Sequence, residues 1–466
     1  MRYVAISVFI HTLNKTITLY QKKDYYRLGT YTNMITALVI SIITFIGVTI
    51  SILVFPYFKI KNVRIDTYWI IALVGAVLLL CIGLAPIKEV WLELTSDKAI
   101  NPLKILVLFF SMTLLSILLD EFGLFRYLAY ITSRHAKGNQ YALFFLLYLL
   151  TSLLTIFTSN DVVILTLTPF IVFFCKNANI NPIPYLISEF AAANTWSTMF
   201  IIGNPTNIYL ATSAGINFLD YFKVMGVPTL LMGLTELLII FLLFNKKLKD
   251  PISIGDEEYH LESKVDLFIG LSIFIVCLIF LVISSYIHIE MWLVSLICAS
   301  TLLVTTIIIR LITKEHWDYV LTPLKRLPYQ LIPFFLSMFV IVVALNSQGI
   351  TLKIAELLGN NETIWVYGYS SLLTSNLINN IPMSILYTSL SSNLTGVNYI
   401  RAVYSSIIGS NIGAFLTPIG ALAGIMFSSL LNKYEIKFSF LTFIKYGAII
   451  AIPTITVGLT ALLLFI

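Results

Sequence analysis

Charge is what this sequence has least of. Of 466 residues only 11% are Asp, Glu, Lys or Arg, while 58% are hydrophobic, and the mean hydropathy is +0.92. Soluble chains carry about 25% charged residues, so composition excludes a water-soluble fold. Cysteine is scarce too. Cys81, Cys175, Cys277 and Cys298 lie far apart, with no metal or disulfide spacing, and read as small apolar packing residues. The five His form no metal-ligand pattern. No phosphate-cradling Gly loop, nucleophile elbow or zinc motif occurs, so nothing supports a membrane enzyme. The net charge of +6 comes mostly from Lys and Arg between apolar runs, and therefore speaks to bilayer orientation and not to nucleic acid.

What is there is apolar sequence in long pieces. Residues 28–58, 67–87, 267–289, 291–309, 327–352 and 446–466 contain no Asp, Glu, Lys or Arg, and 224–245 is a further apolar run. A spanning helix needs about 20 such residues. The chain is therefore expected to be an integral multi-pass protein of the lipid bilayer, in a bacterial-type plasma membrane. Residues 1–30 do not resemble a cleaved signal. The run Tyr3 to Ile10 is short, and Lys15, Lys22, Lys23 and Arg27 follow it. An interfacial segment is expected there.

The chain repeats itself. Residues 138–175 and 363–400 are both 38 residues long and bounded by charges, with Asp161 the only charge inside either. That length is tight for two spans and a turn, and fits a re-entrant hairpin. Ser111-Met112 precedes Gly123 as Ser337-Met338 precedes Gly349, and Asn194 precedes Gly203 by nine positions as Asn411 precedes Gly420. The expected fold is an all-α polytopic membrane protein with two inverted repeats, each about five transmembrane helices plus one re-entrant hairpin, with discontinuous helices. The first repeat, 31–245, has spans at 34–55, 67–87 and 105–125, then the hairpin, a span broken near Gly203, and 224–245. A linker, 246–266, follows. The second repeat, 267–466, has spans at 267–289, 291–309 and 327–350, the hairpin, a span broken near Pro418, and 446–466. Five crossings per half turn the second half upside down, a plan common among secondary transporters. With the N-terminus outside and the linker cytoplasmic, inside loops hold eighteen Lys and Arg against six outside. The five basic residues in 1–30 count against this orientation.

Irregular backbone survives in hydrocarbon only inside protein or around a wet cavity. Four irregular places recur symmetrically. They are two hairpin turns, Thr158–Val163 and Thr374–Pro382, and two breaks, Gly203–Asn207 and Leu416–Ala421. An opened helix exposes N–H groups that suit anions or oxygen-rich solutes, and carbonyls that suit Na⁺ or a proton donor. The candidate solute- and ion-binding residues are Ser159, Asn160, Asp161, Asn194, Gly203, Asn204, Pro205, Thr206, Asn207, Ser375, Asn376, Asn379, Asn380, Asn411, Thr417, Pro418 and Gly420. A lone amide such as Asn194 also serves simply to join helices, and Pro169 or Pro382 to kink them. Asp161 is a costly carboxylate at membrane depth and so a functional candidate, with capping of the hairpin's second helix as the structural alternative. Asn160, Asp161 and Asn380 are candidates for a Na⁺ ion, the one coupling cofactor considered. Asp120 and Glu121, near a span end, suit either a proton path or plain solvation.

Several motifs carry a resemblance. "SILLDEFGLF" (116–125), "SNDVVILTLTP" (159–169), "NNIPMSIL" (379–386) and "NIGAFLTPIGALA" (411–423) resemble the arsenite permeases. "ANTWSTMFIIGNPTN" (193–207) is more similar to anion symporters. Over about residues 60–466 the chain resembles the ion transporter superfamily, which includes arsenite permeases, citrate and dicarboxylate symporters, and some Na⁺/H⁺ antiporters. Divalent-anion symporters of that superfamily carry Ser-Asn-Thr at both hairpin turns. Here Ser159-Asn160-Asp161 and Ser375-Asn376-Leu377 stand instead. A fixed carboxylate repels a dianion unless a cation intervenes, which favours a neutral or weakly charged oxyacid such as arsenite, or a cation. The resemblance implies a homodimer, a scaffold at 34–87 and 267–309, and transport elements at 105–213 and 327–432 that move as an elevator.

The expected function is secondary active transport of a small oxyanion or its neutral acid, arsenite-type efflux or related anion transport, coupled to H⁺ or Na⁺. A Na⁺/H⁺ antiporter using Asp161, and a channel-like or non-transporting membrane protein, remain as alternatives.

Overall fold

The computed structural model describes residues 31–52, 54–55, 57–60, 63–95, 101–249, 252, 263–284, 286–314 and 316–466. The expected N-terminal segment 1–30 and most of the linker 246–266 lie outside the described residues.

Among the described residues nine helices are long and apolar enough to cross a bilayer. The first half begins with α1 (Tyr31–Ile52), a two-stranded antiparallel hairpin of β1 (Tyr57–Ile60) and β2 (Val63–Asp66), and α2 (Tyr68–Cys81). Next come α3 (Ile87–Thr95), α4 (Pro102–Glu121) and α5 (Leu124–His135). The hairpin is α6 (Gln140–Phe157) and α7 (Asn160–Asn177), the broken span is α8 (Ile183–Trp196) and α9 (Pro205–Ser213), and α10 (Phe218–Phe244) closes the half. The second half repeats this order. It runs α11 (Lys264–Ile283), α12 (Met291–Thr313), α13 (Asp318–Arg326), α14 (Leu331–Ser347) and α15 (Ile350–Leu358). The hairpin α16 (Thr363–Ile378) and α17 (Asn380–Ser391), the broken span α18 (Gly396–Gly413) and α19 (Leu422–Lys433), and α20 (Phe440–Leu462) follow. The strand pair and the short helices α3, α5, α13 and α15 are additions to what the apolar runs indicate.

Local chemistry sets these boundaries. Asn101 starts α4 by accepting from the N–H groups of Leu103 (2.9 Å) and Lys104 (3.3 Å), and Asn139 starts α6 in the same way on Tyr141 (2.8 Å) and Ala142 (3.3 Å). The paired Gly123 and Gly349 take φ +87° and +70°, and each turns a long helix into a short one. The repeated Ser-Met…Gly spacing therefore marks one corner used twice.

Packing is reciprocal. α2 packs against α14 as α12 packs against α4, α7 against α19 as α17 against α9, and α3 against α14 as α13 against α4. α10 meets its own counterpart α20, and α8 meets α18. These pairings recur with the halves exchanged, as two similar units clasping each other require. Around this buried centre, α10 turns Leu234, Leu238 and Leu242 outward, 52%, 57% and 61% exposed at i, i+4 and i+8. A stripe of that kind on a spanning helix is a lipid-facing surface.

Candidate functional site

The two helix breaks are built alike. Both are eight residues long, 197–204 and 414–421. Asn194 and Asn411 each bond back one turn, to the carbonyls of Phe190 (2.7 Å) and Ile407 (2.8 Å). Each break then folds back on the helix it leaves. A Cβ on Gly203 would stand 2.3 Å from the Ser197 carbonyl oxygen, and one on Gly420 2.5 Å from that of Gly413. Only glycine permits either approach.

At the first break Asn204 caps α9, its Oδ1 accepting from Thr206 N–H and Thr206 Oγ1, both at 3.1 Å, while Pro205 opens the helix where no N–H partner is needed. Asn207 Nδ2 donates to the Ser197 carbonyl at 2.8 Å. Asn411, from the other half, completes the cluster. Its Oδ1 accepts from Ser197 Oγ and Asn204 Nδ2, both at 2.9 Å, and its Nδ2 donates to Asn207 Oδ1 at 2.6 Å. The first hairpin tip joins nearby, where Asn160 Nδ2 donates to Asn194 Oδ1 at 3.1 Å. Ser159 Oγ is buried with no partner among the described residues.

The second tip and the second break form a separate group. Asn376 Nδ2 donates to the Gly413 carbonyl (2.9 Å), and its Oδ1 accepts from Thr417 Oγ1 (2.6 Å). Asn379 Nδ2 donates to the Ile419 carbonyl (3.1 Å), and the Asn380 N–H to the Gly420 carbonyl (3.0 Å). The turn itself is at Asn379, with φ +73°. Ser375 and Asn376, expected at the turn, lie instead in the last turn of α16, because either amide run suits a turn and only packing selects one. Ser375 Oγ bonds locally to the Leu372 carbonyl, and Pro418 lies in the break loop. No described hydrogen bond joins Asn160, Asp161 and Asn380 to one another.

Asp161 lines a cavity of about 480 Å³ with Tyr68, Thr113, Lys325, Arg326 and residues of α19. Arg326 pairs with Asp120 (2.7 Å) and with Glu121. Asp120 is 1% exposed, so it is a buried ion-pair member and not a solvated helix end. Arg310, in the last turn of α12, is buried against Asp266 and lies over the Tyr319 ring at 4.8 Å.

Two buried acids escape the sequence reading. Glu189 on α8 accepts from Thr168 Oγ1 at 3.0 and 3.1 Å. Glu236, inside the apolar span 224–245, accepts from Thr195 and lies with Oε1 3.2 Å from Tyr148 Oη. Neither has an ion-pair partner among the described residues. Their signal in the sequence is slight, a single acid in a long apolar run.

The chain's likenesses follow this geometry. Arsenical pump membrane proteins of Escherichia coli are 26% identical over 411 residues (84% of this chain, 92% of the relative) and, in strain K12, 27% over 368 residues (76% and 85%). A "46 kDa membrane protein" of Mycobacterium leprae is 24% identical over 438 residues, 90% of this chain and 98% of its own. The crystal structure of the Alcanivorax borkumensis YdaH transporter shares the fold, with TM-score 0.53 at 15% identity, over 92% of this chain and 97% of that one. The family model described as "Citrate transporter" matches residues 67–394. That match runs unbroken from α2 through both hairpins and the first break, and on it this membrane protein belongs to the citrate transporter family.

Proposed function

We propose that the chain is a secondary active transporter of a small oxyanion or its neutral acid, with arsenite the foremost cargo, coupled to H⁺ or Na⁺. The observation that carries this reading is the amide cluster of Asn204, Asn207 and Asn411, with Asn160 and Asn194 beside it, at a helix opened in mid-span. The turns 158–163 and 374–382 and the breaks 197–204 and 414–421 contain no Lys or Arg. Amides supply both donors and acceptors, which suits the hydroxyls of an uncharged oxyacid. A di- or tricarboxylate asks for fixed positive charge, and Asp161 opposes it. The family model's description favours citrate, the names of the arsenical pump relatives favour arsenite, and Asp161, in a cavity that also holds Lys325 and the ion-paired Arg326, supports the latter.

Movement has support in a pair of clefts. The cavity beside Asp161 runs between α7 and α19 on one side and α4 and α13 on the other. A second, of about 730 Å³, runs between α17 and α9 on one side and α14 and α3 on the other. The α4, α7, α13 and α19 walls of the first are counterparts of the α14, α17, α3 and α9 walls of the second, which suits alternate opening of two routes, and the first is lined by Ile52, Asp66 and Tyr68 as well. In this reading 34–87 and 267–309 are the scaffold of a homodimer, 105–213 and 327–432 move as an elevator, the repeats are inverted, the N-terminus is outside, and the 246–266 linker is cytoplasmic.

Flux in proteoliposomes tests it. Arsenite uptake should follow an imposed H⁺ or Na⁺ gradient and fall at least tenfold in Asp161→Asn and in Asn380→Ala. Unchanged arsenite flux in both variants refutes the site. Citrate flux without arsenite flux refutes the cargo. Lumenal pH change driven by Na⁺ alone, with no oxyanion present, establishes the antiporter instead.

A further inference from the structure

Glu236 poses a problem of proton number. It is 0% exposed on a spanning helix, where an unpaired carboxylate is expensive. Thr195 Oγ1 donates to its Oε2. On the other side, Tyr148 Oη lies 3.2 Å from Oε1, 2.7 Å from the Gly233 carbonyl oxygen, and accepts from Trp196 Nε1 at 3.0 Å. Tyrosine has one hydroxyl proton. The shorter contact assigns it to the Gly233 carbonyl, which leaves two facing oxygens with no hydrogen between them. One more proton, on Glu236 Oε1, satisfies every atom. Glu236 then donates to Tyr148, and Tyr148 donates to Gly233.

The surroundings supply no cation in its place. On the elements packed around α10, the titratable and charged groups are Tyr141 and Tyr148 on α6, Tyr185 and Glu189 on α8, Lys445 and Tyr446 on α20, Lys264, Asp266 and Cys277 on α11, and Lys246 and Lys247 in the turn after α10, with Asp220, Tyr221 and Lys223 on α10 itself. Among the described contacts only Tyr148 reaches Glu236. Glu189 is engaged by Thr168, and Asp266 by Arg310.

Two further observations tie this group to the candidate site. Thr195 lies two residues before the first break, and its carbonyl accepts from Thr198 Oγ1 at 2.7 Å. Thr198 in turn shares a hydrogen bond with Thr229 of α10 at 2.8 Å. On α6, Thr151 and Thr155 continue the face of Tyr148 at i+3 and i+7 towards Ser159 at the hairpin tip. The hydroxyls of all three are buried without partners among the described residues. Helix neighbours three or four residues apart stand about 5–6 Å from one another, so this row of unengaged hydroxyls becomes a proton relay when water bridges its members.

We propose that Glu236 is the coupling-proton site, holding a proton in this state and exchanging it with the hairpin tip along Tyr148, Thr151, Thr155 and Ser159. On release, the Glu236 O–H bond breaks as its proton passes to Tyr148 Oη; Tyr148 gives up its former hydroxyl proton, turned from Gly233 to bridging water, and its new O–H bond faces the carboxylate. The proton leaves by the hydroxyl row to water at the tip. The site rests on burial, on the lack of a cation contact among the described residues and on the proton count; its coupling role rests on the transporter reading.

Infrared spectroscopy of the full chain in lipid nanodiscs tests the site without any cargo. At pH 7 the difference spectrum, wild type minus Glu236→Gln, should contain the carbonyl band of a protonated carboxylic acid. Tyr148→Phe, which keeps the acid but removes its acceptor, should shift that band. Absence of the band, or a band unmoved in Tyr148→Phe, overturns the site. In proteoliposomes, arsenite uptake driven by a pH gradient should fall at least tenfold in Glu236→Gln while arsenite–arsenite exchange persists. Gradient-driven uptake equal to wild type overturns the coupling role. No arsenite or citrate flux in wild type defeats the transporter reading, and the infrared result still decides the proton site.

Discussion

Replacing Asn411 should loosen both halves of the protein at once. Its amide uses its full capacity of two donors and two acceptors, bonding Ser197, Asn204, Asn207 and Ile407 at 2.6–2.9 Å. Three of those partners belong to the other half of the chain. Polar contacts inside membrane proteins average about 0.6 kcal/mol, so four set a floor of about 2 kcal/mol. Asn411→Ala also leaves Asn204 Nδ2 and Asn207 Oδ1 without this partner in a site 0–1% exposed. Orphaned buried groups cost about 1–3 kcal/mol each, which sets a ceiling of about 6 kcal/mol. Asn411→Asp is the sharper test, because it keeps the shape and turns the donor facing Asn207 Oδ1 into an acceptor. Thermal unfolding of the purified protein, followed by intrinsic fluorescence, should rank wild type above Asn411→Ala, with Asn411→Asp at or below Ala. Asn204→Ala added to Asn411→Ala should cost less than the two single losses summed, since they share a bond. Unfolding temperatures of Asn411→Ala and Asn411→Asp equal to wild type would refute the cross-half cluster.

Gly203→Ala should abolish gradient-driven uptake and lower thermal stability, since its Cβ would stand 2.3 Å from backbone that cannot yield; Gly215→Ala, with open space around it at φ +69°, should cost only about 1–2 kcal/mol of left-handed strain. Equal effects of the two would show that the break tolerates a side chain. Asp266→Ala should destabilise by about 3–5 kcal/mol by leaving Arg310 buried and unpaired. The double change Asp266→Leu with Arg310→Met should recover most of that loss, and a double variant as unstable as the single one would contradict the pairing.

How much of this was legible in the sequence depends on the range of the interaction. The breaks and the first hairpin tip were readable because glycine, proline and amides act on their own backbone, whereas Gly123 and Gly349 were legible as a repeat but not as corners, since the expected spans 105–125 and 327–350 run through them. The second break, 414–421, contains the expected Leu416–Ala421, while the first, 197–204, lies mostly ahead of the expected Gly203–Asn207, because Asn204 caps α9 and Pro205–Asn207 form its first turn. The second turn was one step harder. Thr374–Pro382 contains three amides, and only the Gly413 and Ile419 carbonyls on the neighbouring span determine that Asn379 turns while Asn376 stays helical. Pairings across the halves were not readable at all. Nothing near Asn411 announces Asn204, and nothing near Asp120 announces Arg326, because each contact is made by helices far apart in sequence.

Glu236 marks the limit of composition as a guide. One acid in the apolar run 224–245 barely alters its character, so hydropathy passes over the residue whose burial costs most. Its partners come from two other helices, Tyr148 on α6 and Thr195 on α8, and only together do they count protons. The amides that open the backbone are visible because they break a pattern. The acid that would energise the movement is concealed because it sits inside one. For a transporter these are complementary requirements. The cargo site must be irregular to offer polar groups within hydrocarbon, while a proton site works only if water is kept from it, and that takes an unbroken apolar helix around a single carboxyl.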